Sequence, residues 1–159
     1  MERVVRTLIE RGETISTMES CTGGGLANAI TNIPDASRVI KFSAVTYSNE
    51  FKEKMGVSEQ AIDRYSVYSQ EVADDMAKKI SMFTGSTYGV GITGKLKKAD
   101  ENNKAGADDV VFLSIYDSVN DEYYDSKIEV HYDTRSENKQ EIIDIFTEKF
   151  LEITKNKTK

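Results

Sequence analysis

Apolar residues recur along this chain in two rhythms, one of a helix and one of a strand, and the switches between them outline the elements. Val5, Leu8 and Ile9 lie at helical spacing near the start, and Gly12 supplies a stop, which predicts a first helix. A strand through Ile15 follows within the apolar stretch from Thr14 to Met18. The chain then turns through Ser20 and the run Gly23, Gly24, Gly25 into a helix carrying Leu26 and Ile30. That helix must end before Pro34, which pushes Ile33 out of helical geometry. Phe42 to Tyr47 reads as a second strand, and Ser48 is placed to cap a short helix that Gly56 ends. Val72, Met76, Ile80 and Phe83 make the apolar stripe of a longer helix from near Ser69 to Gly85. Tyr88 to Thr93 is another strand, and Val110 to Tyr116 and Tyr123 to Tyr132 are two more, close enough to pair as a hairpin around Asn120 and Asp121. Thr134-Arg135-Ser136-Glu137 has the spacing of a capping box, and Ile142, Ile145, Phe146, Phe150 and Ile153 give the last helix an apolar face. The polar segment 95–108 has no periodicity and reads as a loop and a candidate mobile segment, and the tail from Lys155 is expected to fray.

Strands alternating with helices, plus one hairpin, indicate an α/β domain: a three-layer α/β/α sandwich with a mixed β-sheet. A length of 159 residues with 38% hydrophobic content suits a single domain over 1–159 with one core. The formal net charge of -6 argues against nonspecific nucleic-acid binding, which needs Lys and Arg in excess. No apolar run approaches the roughly 18 residues that suggest a membrane span, and no signal-peptide pattern opens the chain, so no membrane association and a cytoplasmic location are expected. The single cysteine, Cys21, cannot close an internal disulfide, in keeping with a reducing compartment.

The chemistry concentrates at the first turn. A serine at a sharp strand-to-helix bend, Ser20, is presented rather than buried, the glycines let a backbone approach a ligand, and the free N–H groups of a helix start favour negative charge. An unactivated serine needs a base beside it, commonly His and sometimes Lys. His131 is the only histidine and alternates within a strand pattern, so it reads as structural or solvent-facing. Cys21 lacks a histidine to make it a thiolate and reads as a packed thiol. No clustering of His, Cys and carboxylates suggests a metal site.

Four segments, Glu19-Ser20-Cys21-Thr22-Gly23-Gly24, Tyr47-Ser48-Asn49-Glu50-Phe51-Lys52, Thr93-Gly94 and Asp133-Thr134-Arg135, occur in the order of a family this chain resembles from about Val4 to Ile153. It is the C-terminal domain family of the competence/damage-inducible protein CinA, which also occurs alone as nicotinamide-nucleotide amidohydrolase. The pattern begins so near residue 1 that the stand-alone form is expected. The resemblance implies cofactor-free and metal-free deamidation of nicotinamide mononucleotide to nicotinic acid mononucleotide and ammonia. In that chemistry Ser20 is the nucleophile, Lys52 with Tyr47 the base, and Arg135 an active-site anion clamp. Thr22, Gly23, Gly24, Asn49, Thr93 and Gly94 are expected to contact substrate, and the chain to work as a homo-oligomer, a dimer.

The residues alone leave alternatives open. Lys52 is either a base, its pKa lowered by the first turns of a helix and partial burial, or an ordinary exposed lysine. Arg135 is a clamp or a surface arginine, and Asn49 orients an amide or only stabilises a helix start. Where the family carries a glycine-rich Ala-Gly-Pro loop after Thr93-Gly94, this chain has the polar run Lys95 to Lys104, either a solvated loop or a source of replacement anion contacts. The rival reading is therefore a weak or inactive member that binds a pyridine nucleotide or another phosphorylated ligand. A structural oligomer without ligand is a blander third, which leaves the conjunction of Ser20, Tyr47, Lys52 and Arg135 unexplained.

Overall fold

The computed structural model describes residues 1–157, and the elements run in the predicted alternation. They are α1 (Glu2–Arg11), β1 (Ile15–Glu19), α2 (Gly25–Thr31), β2 (Ser43–Val45), α3 (Asn49–Lys54), α4 (Glu59–Tyr65), α5 (Gln70–Thr84), β3 (Tyr88–Gly94), β4 (Val110–Asp117), β5 (Glu122–Glu129) and α6 (Arg135–Asn156). The boundary residues do what their chemistry suggests. Gly12 closes α1 at φ 64, and Ser48, Ser69 and Thr134 accept backbone N–H groups of Phe51, Val72 and Glu137 to cap α3, α5 and α6.

The five strands form one sheet in the order β2-β1-β3-β4-β5. β1 lies parallel to both β2 and β3, while β3–β4 and β4–β5 are antiparallel, so the sheet is mixed as expected. One face of β3 presents Tyr88, Val90 and Ile92 to the larger core, which also holds Val4, Val5 and Leu8 of α1, Leu26 and Ile30 of α2, and Phe146 and Phe150 of α6. The opposite face presents Gly89 and Gly91 beneath α5. A Cβ on Gly89 would sit 1.9 Å from the Ala77 carbonyl oxygen, and one on Gly91 2.1 Å from that of Ala73. These two glycines let α5 lie directly on the sheet, with Met18, Val57, Ile62, Val67, Val72, Met76 and Ile80 filling the smaller core around it. Helices cover both faces, which makes three α/β/α layers.

Several expectations are corrected in detail. Phe83 is 65% exposed, its ring 5.3 Å from Phe42, because the close approach of α5 gives the sheet-facing side to Ala73 and Ala77. In α6, Ile143 is buried where Ile145 is only partly covered. β2 has three residues, since an edge strand is defined only where β1 offers Thr17, Met18 and Glu19 as partners. β5 stops at Glu129 because β4 begins at Val110, its partner in register. Helix α4 was not anticipated: Ser58 caps it, but it buries only Ile62, too little for a periodic signal. At the other end α6 continues to Asn156, and Lys157 pairs with the buried carboxylate of Asp117, so the expected fraying from Lys155 does not hold through 157. The remainder of that expectation, residues 158–159, lies outside the described residues.

Candidate active site

Ser20 is buried, at 8% exposed, and not presented as expected, although it lines the cleft; the turn that carries it is built by a carboxylate. β1 delivers the chain to Glu19, and Ser20 still donates its N–H to the Ile92 carbonyl of β3 at 3.0 Å, so the strand ladder fixes its backbone. The fully buried Glu19 side chain folds under the turn. Its Oε1 accepts the Thr22 hydroxyl at 2.7 Å and the Leu26 N–H at 2.9 Å, and its Oε2 accepts the Ala27 N–H at 3.0 Å and the Thr17 hydroxyl at 3.1 Å. The negative charge expected at the start of α2 is therefore supplied by the protein itself. Gly25 N–H bonds the Thr22 carbonyl and Asn28 N–H that of Gly24, so the opening N–H groups of α2 are taken. Those of Cys21 and Thr22 bond to no carbonyl or carboxylate among the described residues.

This arrangement sorts the expected substrate contacts. Thr22 is buried and committed to Glu19, and Gly23 and Gly24 serve the turn through φ values of 63 and 91, which a side chain would strain. Thr93 is buried too, donating its hydroxyl to the Val67 carbonyl at 2.9 Å. None of these four lines the cleft that opens over Ser20, whereas Asn49 and Gly94 do. At Gly94 a Cβ would sit 2.5 Å from the Val110 carbonyl oxygen, so glycine is required there by β4.

Lys52 approaches Ser20 from α3. It is 2% exposed, and its Nζ lies 3.1 Å from Ser20 Oγ while donating to the Thr46 carbonyl at 2.7 Å. The exposed-lysine alternative is thereby removed. Burial, which penalises the ammonium, lowers its pKa to about 8. The helix dipole does not contribute as expected, because Lys52 sits in the last turn of the six-residue α3, where the dipole favours a cation. Thr46, which carries the accepting carbonyl, donates its own N–H to the Glu19 carbonyl at 2.8 Å, tying the two halves of the pair to one strand end.

The other candidates fall into place around this pair. Cys21 is buried and its thiol is pushed up to about 12 by desolvation, which keeps it a neutral packed thiol. His131 is exposed and faces Glu141 at 3.1 Å. Tyr47 makes no hydrogen bond to Lys52 or Ser20; it is 66% exposed, and its hydroxyl accepts from Arg135 Nη2 at 3.2 Å. Both stand at the rim of a cleft of about 570 Å³ whose floor holds Ser20 and Cys21. Among the described residues no group of three or more His, Cys, Asp or Glu is arranged to hold a metal ion, and no helix is long and apolar enough to cross a membrane.

The far wall of the cleft is the segment expected to be a mobile loop. It has no helix or strand, yet side chains pin it along its length. Lys95 is buried and pairs with Asp108 at 3.0 Å, Lys97 donates to the His131 carbonyl at 2.8 Å, and Asn49 Nδ2 donates to Asn103 Oδ1 at 3.2 Å. Asp100 accepts the Tyr68 hydroxyl, the Asn102 N–H and the Asn103 amide. Sequence periodicity missed this wall because polar side-chain bonds over long separations leave no periodic trace; Glu19 was seen only as part of a motif, its burial being invisible until the turn is folded.

The model of the CinA C-terminal domain family matches residues 1–153. A competence-damage inducible protein of Caldanaerobacter subterraneus is 45% identical over 94 residues, covering 58% of this chain and 23% of that protein. A CinA-like protein of Endomicrobium trichonymphae is 43% identical over 90 residues, covering 56% of this chain and 21% of that protein. The matched stretch is thus under a quarter of the length of either relative. Among solved structures, a CinA superfamily protein from Klebsiella pneumoniae superposes with a TM-score of 0.85 over 97% of this chain and 92% of that one, at 22% identity, and so shares the fold.

Proposed function

Because the chain belongs to the CinA C-terminal domain family, we propose that it is a metal-independent amidohydrolase that deamidates nicotinamide mononucleotide. The observation that carries this reading is the buried Lys52 ammonium nitrogen 3.1 Å from the hydroxyl of Ser20. A lysine whose pKa is about 8 is neutral in roughly a tenth of molecules at pH 7, and a neutral amine is a competent base. Neutral Lys52 keeps one N–H on the Thr46 carbonyl and turns its lone pair to the Ser20 proton.

Ser20 Oγ attacks the carboxamide carbon as its proton passes to Lys52, forming a tetrahedral oxyanion that the N–H of Cys21, beside Ser20 on the cleft floor, receives. The resulting lysine ammonium protonates the departing nitrogen, which leaves as ammonia, and the acyl group remains as an ester on Ser20. Water, deprotonated by the same amine, then attacks the ester and releases the carboxylic acid and the serine hydroxyl. Arg135 at the rim, oriented by Tyr47, holds the phosphate by bidentate contact. With this reading goes a cytoplasmic homodimer that needs no cofactor.

The test is ammonia release from nicotinamide mononucleotide by the purified protein, with calorimetry beside it. Turnover abolished by Ser20→Ala and retained by Cys21→Ala supports the mechanism. A second reading is a binding module without turnover, in which Tyr47 pairs with Arg135 and makes no hydrogen bond to Lys52 or Ser20. Binding without ammonia release assigns the chain to it, and neither binding nor release overturns both.

A further inference from the structure

The segment 95–108 puts a carboxylate in the cleft. Asp100 lines the same cavity as Ser20 and Arg135. Its carboxylate is held by three neutral donors, the Tyr68 hydroxyl, the Asn102 N–H and the Asn103 amide, and pairs with no Lys or Arg among the described residues. Those donors hold it ionised, the Tyr68 bond foremost, with a pKa lowered to about 2. The buried cation of the segment, Lys95, pairs with Asp108 and lies over the Tyr68 ring, 5.1 Å from its centroid. Arg135 at the rim and Lys98 on the same segment as Asp100 line the cleft with no carboxylate partner among the described residues. The cleft therefore presents one uncompensated anion and two uncompensated cations around a nucleophile.

We propose that Asp100 is a specificity-determining residue that recognises the positive charge of an N-substituted pyridinium ring, so that this cleft selects zwitterionic carboxamide nucleotides over those with a neutral ring. This rests on the amidohydrolase reading and deepens it. An N-ribosylated pyridinium carboxamide with a phosphate carries a cation beside its amide and an anion at its far end. A cleft with Asp100 on the 95–108 wall and Arg135 at the rim beside Tyr47 matches that dipole. Free nicotinamide lacks both charges, and the dihydropyridine mononucleotide, reduced by one hydride on the ring, keeps the amide, ribose and phosphate while losing the ring's charge and aromaticity.

That reduced form is the decisive probe. Binding is measured by calorimetry in a Ser20→Ala background, where turnover does not interfere, for oxidised and reduced mononucleotide, with Asp100 intact and as Asp100→Asn. The intact protein is expected to prefer the oxidised form by about tenfold, the scale of one ion pair in a half-open site. Asp100→Asn should erase that preference by weakening the oxidised form alone. Tyr68→Phe, which cuts the latch but leaves the carboxylate, should weaken both forms alike and keep the preference. Equal losses on both forms in Asp100→Asn, no change in it, or loss of the preference in Tyr68→Phe would each overturn the proposal while leaving the amidohydrolase reading standing. Failure of the Ser20→Ala protein to bind either form overturns the amidohydrolase reading, and this inference with it.

Discussion

The two walls of the cleft are held by different physics. On one side, Ser20 and Lys52 are fixed by main chain: a strand ladder to Ile92, the Thr46 carbonyl, and a buried Glu19 that accepts two helix N–H groups. On the other, the segment 95–108 has no regular structure and is fixed by side chains, Lys95 on Asp108, Lys97 on the His131 carbonyl, Asp100 on Tyr68 and Asn103 on Asn49. Main-chain anchoring ties the Ser20–Lys52 pair to the core, so it changes only if the fold changes. Side-chain latches can be rewritten without touching the core, which suits a wall that sets recognition rather than reaction.

The largest expected effect lies on the anchored side. Lys52→Met removes the base and should lower ammonia release by about 10²- to 10⁴-fold, and Lys52→Arg, which keeps its proton, should do no better. With Lys52 intact, turnover should rise as pH passes through about 8, where the amine becomes neutral. Stability follows the same group. Its folded pKa lies below the ordinary 10.5, so between about 8 and 10.5 the unfolded chain binds more protons and stability rises with pH. Below about pH 8 the buried ammonium costs the fold on the order of 3 kcal/mol, and Lys52→Met should therefore be inactive yet more resistant to urea at pH 7. A less stable, active Lys52→Met protein would remove Lys52 from the mechanism.

Next in size is the packing beneath the site. Gly91→Ala places a methyl group 2.1 Å from the Ala73 carbonyl oxygen, and α5 must lift off the sheet at a cost of about 1 to 3 kcal/mol or more in denaturant unfolding. Glu19→Gln keeps the shape of the side chain but gives up the charge that faces two helix N–H groups, and about 1 to 3 kcal/mol of stability should go with it. Turnover should fall as well, because the same turn carries Ser20. A Glu19→Gln protein with unchanged stability would show that main-chain ladders alone hold the turn.

The smallest effect belongs to the latched wall. Lys97→Ala severs an exposed contact with the His131 carbonyl and Asp133, and it should cost less than about 0.5 kcal/mol. Its signature should be a modest rise in KM with kcat unchanged, since the turn it braces carries Arg135. A fall in kcat instead would mean that the two walls are not independent.

All elements but α4 were legible in the sequence in their order, because burial on one face imposes a 3.6- or 2-residue period wherever a helix or strand meets a core. Caps such as Ser48, Ser69 and Thr134 were equally local, each bonding an N–H three residues on. The motifs named Ser20 and Lys52 as candidates, and the structure brings the two within 3.1 Å of each other. Four expected substrate contacts, Thr22, Gly23, Gly24 and Thr93, were legible as motif residues but not in their roles, which the structure assigns to building the turn and bracing the chain before α5. The source of the lowered Lys52 pKa, the partner of Tyr47 and the latching of 95–108 were decided only by tertiary structure. Each depends on groups brought together across long separations, 32 residues for Lys52 and Ser20 and 88 for Arg135 and Tyr47. Periodicity reports which face of an element meets a core. The neighbours a side chain finds there, and the water it loses on reaching them, are set only when the layers close.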